Sequence, residues 1–244
     1  MKAMILCAGL GTRLKPWTDK HPKALVPVGG IPMLQRVVER LSEQGFDDVT
    51  LNVHHFAFEI MDFIKKVELP VKKINVSDET NKLLETGGGI LHAEKILSQD
   101  SDSFLVHNVD ILSNANLKNL YKIHQESDNM ITLLVSDRKS DRKLVFDDNL
   151  KLKGWINIKT GQTRPETLVV DEKDKVLAFS GIYIMSPKVF SLMRNFGFKG
   201  AFPIMDLFLS GIPDLKIYGV CQDDLDILDI GKPDTLYRAN LTIQ

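Results

Sequence analysis

The chain has 244 residues, 43% of them hydrophobic, which is long enough for one sizeable core with room for an attached lobe. Its formal net charge is −1, so no broad basic surface argues for nucleic acid as a partner. The two cysteines, Cys7 and Cys221, sit in apolar runs without metal spacing or a disulfide framework, and no run nears the roughly 20 apolar residues of a membrane span.

A reducing compartment follows from that cysteine usage. Met1-Lys2 leads directly into a strand, with no charged n-region, long apolar h-region or cleavage site, so a soluble cytoplasmic protein is expected. Ala3 to Ala8 reads as a short buried strand feeding a loop with Gly9 and Gly11. Glycine lets backbone N–H groups turn inward with no Cβ in the way, and a row of such groups is a concave anion site. Arg13 adds a planar fork of donors suited to phosphate, and Lys23 a compact mobile cation. Together they describe a polyphosphate holder. Leu14 stands where a dinucleotide fingerprint needs its third glycine, and no Gly-Lys-Ser/Thr tripeptide of a P-loop occurs.

From Met33 the spacing of Leu34, Val37, Val38 and Leu41 predicts a helix, with Gly45 as its stop. A strand over 48–54, a helix carrying Phe56, Ile60, Phe63 and Ile64, and a strand over 71–76 follow. This alternation predicts a Rossmann-like, doubly wound α/β fold: a mostly parallel sheet with helices on both faces. Ligands in such sheets bind outside the carboxyl ends of the strands, where Gly9 to Arg13 fall. His54-His55 ends a strand, and consecutive strand residues face opposite ways, so a solvated strand end is expected there. Glu85-Thr86-Gly87-Gly88-Gly89 reads as a loop or first turn, because a helix interior disfavours three glycines. Such a turn suits close approach to something flat.

Ser103 to Val106 is the next strand, ending in His107-Asn108-Val109-Asp110. A helix on Leu117, Leu120 and Ile123 and a strand over 130–135 come after it. Asp148-Asn149 then marks a hairpin turn. The segment 136–175 is expected to be a small β-rich insertion forming a lobe or lid within one domain over 1–244. Its Asn157 and Arg164 are either phosphate contacts or solvated loop residues. Val176 to Ile184 is a strand interrupted by Gly181, which marks close approach of another group. Short helices at Pro187 and over 204–209, strands over 215–220 and 225–228, and a helix from Pro233 complete the reading.

Ala8-Gly9-Leu10-Gly11-Thr12-Arg13-Leu14, with Pro16, Thr18, Pro22-Lys23 and Leu25-Val26-Pro27-Val28, resembles the signature of the sugar-1-phosphate nucleotidyltransferases. Matches at Leu84–Gly89, Asn108-Val109-Asp110, Phe179-Ser180-Gly181 and Leu228–Gly231 keep that family's order. The Glu-Thr-Gly-Gly-Gly form looks most like the N-acetylmuramate-1-phosphate uridylyltransferase branch, and next like the mannose-1-phosphate guanylyltransferases.

The resemblance implies transfer of a nucleoside monophosphate from a triphosphate, UTP by preference, to a sugar 1-phosphate, N-acetylmuramate 1-phosphate by preference. It implies Arg13 and Lys23 as catalytic cations. Ala8, Gly9, Gly11, Thr12, Arg13, Lys23, Glu79, Thr86, Gly87 and Asn108 would meet the nucleotide. Glu85, Asn157, Ser180 and Gly181 would meet the sugar phosphate, and Asp110 and Asp229 would bind Mg2+. Three departures stand out. Val109 replaces the usual small residue before the first Asp, Ile227 stands where many relatives carry Trp, and a Glu-Lys-Pro segment is absent. The chain ends soon after Gly231, so no fused left-handed β-helix acetyltransferase domain is expected. The partners expected are the two substrates, without nucleic acid or membrane, in a monomer or small homo-oligomer. Phosphocholine cytidylyl transfer and a non-catalytic nucleotide-sugar sensor are the alternatives.

Overall fold

Runs of apolar residues with no polar alternation become strands buried on both faces. The computed structural model describes residues 1–242; the last two positions of the expected 1–244 domain lie outside the described residues. β1 (Lys2–Leu6) is buried throughout. Three 3-10 turns (Thr12–Leu14, Trp17–Asp19, Lys23–Leu25) then lead to a ribbon of β2 (Pro27–Val28) and β3 (Ile31–Pro32). Next come α1 (Met33–Glu43), β4 (Asp48–Val53), α2 (Ala57–Lys66), β5 (Lys73–Asp78), α3 (Glu85–His92) and α4 (Glu94–Leu97). β6 (Phe104–Asn108), β7 (Ile111–Ser113), α5 (Leu117–Gln125) and β8 (Ile131–Ser136) follow, then β9 (Arg142–Phe146), β10 (Leu152–Asn157) and β11 (Thr163–Arg164). The chain closes with β12 (Lys175–Met185), α6 (Lys188–Asn195), α7 (Ile204–Phe208), β13 (Ile217–Cys221), β14 (Ile227–Asp229) and α8 (Pro233–Thr242).

One 10-stranded sheet carries the molecule, in the order β11-β10-β9-β12-β6-β1-β4-β5, with β8 paired to β12 and β13. β6, β1, β4 and β5 run parallel, with Ile5 between His107 and Leu51. Side chains of a strand alternate between its faces. Met4 and Leu6 therefore join Ile90, Phe190 and Leu207 on one side, while Ala3 and Ile5 join Leu34, Val38 and Leu120 on the other. Helices α3, α6 and α7 cover the first face, and α1, α2 and α5 the second. Each fully buried Leu, Ile or Phe contributes about 1.5–3 kcal/mol of transfer free energy, so the sheet is held from both sides. No described helix is long and apolar enough to cross a membrane.

The 136–175 segment adds strands to this same sheet. β9 pairs with the first part of β12 and β10 pairs with β9, all antiparallel. β12 changes partners along its length, with a register shift between Phe179 and Tyr183 around Gly181 at φ 80°. Asp148-Asn149 form the centre of the hairpin turn, closed by Leu150 N–H donating to the Asp147 carbonyl at 3.0 Å. The glycine run meets its expectation only in part. It lies in helix α3, with Gly87 and Gly88 in the first turn and Gly89 beyond it. Packing overrides local propensity here: a Cβ on Gly88 would lie 2.1 Å from the Gly200 carbonyl oxygen, and one on Gly87 2.3 Å from the Phe202 ring. The glycines serve close approach, but to the protein's own chain.

Candidate active site

The loops leaving the carboxyl ends of β1, β4, β5 and β6 gather at one edge of the sheet. After β1, Ala8 is buried and Gly9 is exposed with open space around it. Gly11 is left-handed at φ 63°, and a Cβ there would lie 2.9 Å from both Lys23 Cβ and Thr18 Cγ2. Thr18 Oγ1 donates to the Gly11 carbonyl at 2.9 Å and Leu14 N–H donates to it at 2.8 Å, fixing the turn. Thr12 and Arg13 are exposed on the 3-10 turn that follows. Only glycine at position 11 lets the Lys23 stem pass beneath this turn.

Asp110 follows β6 and Asp229 ends β14. The antiparallel β7–β14 ribbon sets Asp229 opposite Ile111, and Ile230 N–H donates to the Asp110 carbonyl at 2.8 Å. Ile230 is buried with Val28, Met33 and Ala239, which pins the ribbon against β2 and α8. A Cβ on Gly231 would lie 2.8 Å from Arg13 Nη2, 2.8 Å from Asp110 Oδ2 and 2.9 Å from Asp229 Oδ1. Arg13, Asp110 and Asp229 thus converge on one point that a side chain would fill. Lys23 Nζ is ion-paired and hydrogen-bonded to Asp110 Oδ2, with the two side chains only 15% and 13% exposed. Asp229 Oδ1 also accepts from Gly231 N–H at 2.9 Å, and the Thr235 hydroxyl donates to the Asp229 carbonyl.

Two carboxylates facing one cradle fit Mg2+, a hard cation that takes one or two carboxylates plus phosphate oxygens and water. No group of three His, Cys, Asp or Glu suited to a metal gathers among the described residues. The protein's share of such a site would therefore be these two groups.

Beneath the site runs a buried polar chain. Cys7 N–H donates to Asn52 Oδ1 at 2.7 Å, Asn52 Nδ2 donates to Glu79 Oε1 at 2.9 Å, and Leu84 N–H donates to Glu79 Oε2 at 3.2 Å. Burial raises the Glu79 carboxyl above its ordinary range, against the opposing pull of these donors. Glu79 is only 3% exposed, and its backbone carbonyl accepts from His54 Nδ1 at 2.7 Å. His54 is thereby half-buried and tied to β5 rather than free at a solvated strand end. Asn52 escaped the sequence reading, although a polar residue in the otherwise apolar end of β4 is a visible signal. Burial pushes the Cys7 thiol well up, with Lys23 pulling weakly the other way, so it is no thiolate nucleophile.

The remaining residues fall in two places. Thr86 Oγ1 accepts from Ile204 N–H at 2.8 Å, and Gly87 N–H donates to the Phe202 carbonyl at 2.9 Å, while Glu85 is exposed at φ 59°. On the other side, Gly181 packs on Asn108: a Cβ there would lie 2.6 Å from Asn108 Nδ2. Ser180 is buried, its hydroxyl accepting from Ile182 N–H at 3.1 Å. Asn157 Oδ1 accepts from Lys159 N–H at 3.0 Å, and Arg164 pairs with Asp206 at 3.0 Å. Beside them opens a cavity of about 530 Å3 walled by Arg138, Arg142, Trp155 and Phe179.

The family model described as nucleotidyl transferase matches residues 2–244. The chain belongs to the nucleotidyl transferase family. It is 30% identical to a UTP–glucose-1-phosphate uridylyltransferase of Synechocystis sp. across 98% of this chain and 62% of that relative. It is 40% identical to an N-acetylmuramate alpha-1-phosphate uridylyltransferase of Caulobacter vibrioides across 40% of this chain and 41% of that relative. The chain thus spans 62% of the length of the Synechocystis relative. The fold is similar to that of HddC from Yersinia pseudotuberculosis, with a TM-score of 0.78 at 24% identity, covering 100% of this chain and 99% of the other.

Proposed function

We propose that this nucleotidyl transferase family member moves a nucleoside monophosphate from a triphosphate onto a sugar 1-phosphate. The observation that carries this reading is the convergence of Arg13, Asp110 and Asp229 at Gly231, with Lys23 on Asp110. An oxygen of the sugar phosphate attacks the α-phosphorus in line. The bond from that phosphorus to the β-phosphate oxygen breaks, and pyrophosphate leaves with the electron pair. The attacking group is already an anion, so no proton acceptor is needed, and catalysis is positioning plus charge neutralisation.

The backbone from Ala8 to Thr12 cradles the triphosphate, with Arg13 against its β- and γ-oxygens. Lys23, resting on Asp110, steadies the α-phosphate or the incoming phosphate with its remaining N–H donors. Asn108, Thr86 and Gly87 flank the nucleotide, Gly181 the sugar. Asp110 and Asp229 would hold Mg2+, which when bound neutralises charge between the phosphates. UTP is the preferred donor, since both relatives above are named uridylyltransferases. N-acetylmuramate 1-phosphate is the preferred acceptor, on the 40% identity to the Caulobacter relative.

The test is pyrophosphate release with Mg2+ across UTP, GTP, CTP and dTTP against N-acetylmuramate, N-acetylglucosamine, glucose and mannose 1-phosphates. One productive pair, lost in Asp110→Asn and Asp229→Asn, is expected. Silence across the grid from folded protein sinks the reading.

A further inference from the structure

The cavity beside Gly181 has an unusual charge balance. Four cations, Arg138, Arg142, Lys143 and Arg164, line it, and no carboxylate does. Two of the four are offset from outside the wall: Lys143 by Asp137 at 3.1 Å and Arg164 by Asp206 at 3.0 Å. Arg138 donates from Nη2 to the Phe179 carbonyl at 2.9 Å, while its buried Nε has no partner among the described residues. The Arg142 guanidinium has neither ion pair nor hydrogen bond among the described residues. Two guanidinium charges therefore face a concave wall without compensation, in a chain of net charge −1. Concave, low-dielectric walls focus such a field and gather anions.

Strand β12 links the cavity wall to the residues around the reaction centre. Phe179, which lines the cavity with Trp155, stands two residues before Gly181 in β12, and Gly181 packs on Asn108, two residues before Asp110.

We propose that this cavity receives the acceptor's sugar ring, and that Arg138 and Arg142 select an acceptor bearing a carboxylate on the sugar in addition to its 1-phosphate. The proposal rests on the transfer reading above. The reacting phosphate is committed elsewhere, because it must meet the α-phosphorus beside Lys23 and Asp110. A neutral ring would leave the two guanidinium groups uncompensated. A carboxylate meets such a group through two parallel N–H···O bonds, a geometry Arg provides and a neutral hydroxyl does not.

The experiment compares N-acetylmuramate 1-phosphate with N-acetylglucosamine 1-phosphate, the same ring without the carboxylate. Wild type is expected to favour the carboxylated acceptor by about tenfold to a hundredfold in kcat/KM, the worth of one charge-assisted pair. Arg142→Gln should erase most of that preference through KM, with a far smaller effect on the neutral acceptor, and Arg142→Lys should restore part of it. Arg142 is exposed, so the variant should fold; Arg138→Gln is the second variant, with its melting temperature checked. Equal use of both acceptors by wild type, or an equal loss for both in Arg142→Gln, overturns the proposal. Calorimetric binding of N-acetylmuramate and N-acetylglucosamine, without nucleotide, separates the two readings. If no acceptor turns over, the transfer reading fails. Arg142-dependent preference for the acid in calorimetry then still supports the anion site, and its absence overturns it.

Discussion

Gly231→Ala is the sharpest probe of the constellation. The added methyl would sit within 2.9 Å of three polar atoms, one each from Arg13, Asp110 and Asp229. Contacts this short force something to move. All three neighbours are side-chain ends, and Gly231 is not among the glycines held at positive φ, so the backbone itself tolerates alanine. Replacing glycine where alanine fits lowers the entropy of the unfolded chain by about 0.4–1 kcal/mol, which offsets part of the crowding. Net stability should therefore change by about 1 kcal/mol or less, a Tm shift of roughly 2–4 °C for a chain of this size. Activity should respond far more. Displacing reacting groups by about 1 Å costs on the order of a hundredfold in rate. The assay is pyrophosphate release at saturating substrates beside a thermal melt. Activity within about threefold of wild type, worth under 1 kcal/mol, would refute the idea that these three groups act together at that point.

Lys23→Met should lower kcat about a hundredfold or more by removing the charge that the proposed transfer sets against the phosphates, and an unchanged kcat/KM would count against that role. Glu79→Ala strands Asn52 Nδ2 and the Leu84 N–H, so urea melts should show a loss of about 2–4 kcal/mol, with activity falling as Cys7 and the loop after it lose their support. His107 and His124 are buried neutral, burial holding each imidazole down to about 4 from 6.5. The unfolded chain then binds more protons than the fold between those values. Stability is full above pH 6.5 and is lost as pH falls through 4, by about 3 kcal/mol for each histidine, and His124→Gln should flatten the slope measured in urea melts at stepped pH.

The parallel half of the sheet is legible because β1 is apolar from Ala3 to Leu6 and β4 carries Val49, Leu51 and Val53, and α1 because Leu34, Val37, Val38 and Leu41 keep one face. β7 and β14 are another matter. Each has three residues, too few for a periodic signal, and only their pairing brings Asp110 beside Asp229. The glycine run misleads for a related reason. Its cost to a helix is local, whereas the gain, contact with Gly200 and Phe202, comes from a distant part of the chain. The Asn52–Glu79 link is likewise invisible until the ends of β4 and β5 lie side by side. A buried polar pair costs free energy unless each member satisfies the other, and a sequence does not print that reciprocity.

What faces the cleft and what lies behind it differ in kind. The groups able to exchange a proton near neutrality are withdrawn: Cys7 and His107 are buried and held in their neutral forms. What remains at the edge is two cations and two carboxylates, with Lys23 paired to Asp110 and Arg13 beside the point where Asp110 and Asp229 meet. Such a set presents charge of both signs at one place. It can bring two anions together and hold them while charge shifts between phosphate oxygens. On the proposed transfer, Asp110 and Asp229 alone would repel an arriving triphosphate, and Lys23 and Arg13 would offset that charge. In that transfer, the three N–H donors of Lys23 would let it bridge Asp110 to a phosphate oxygen, so that the pair carries into the loaded site.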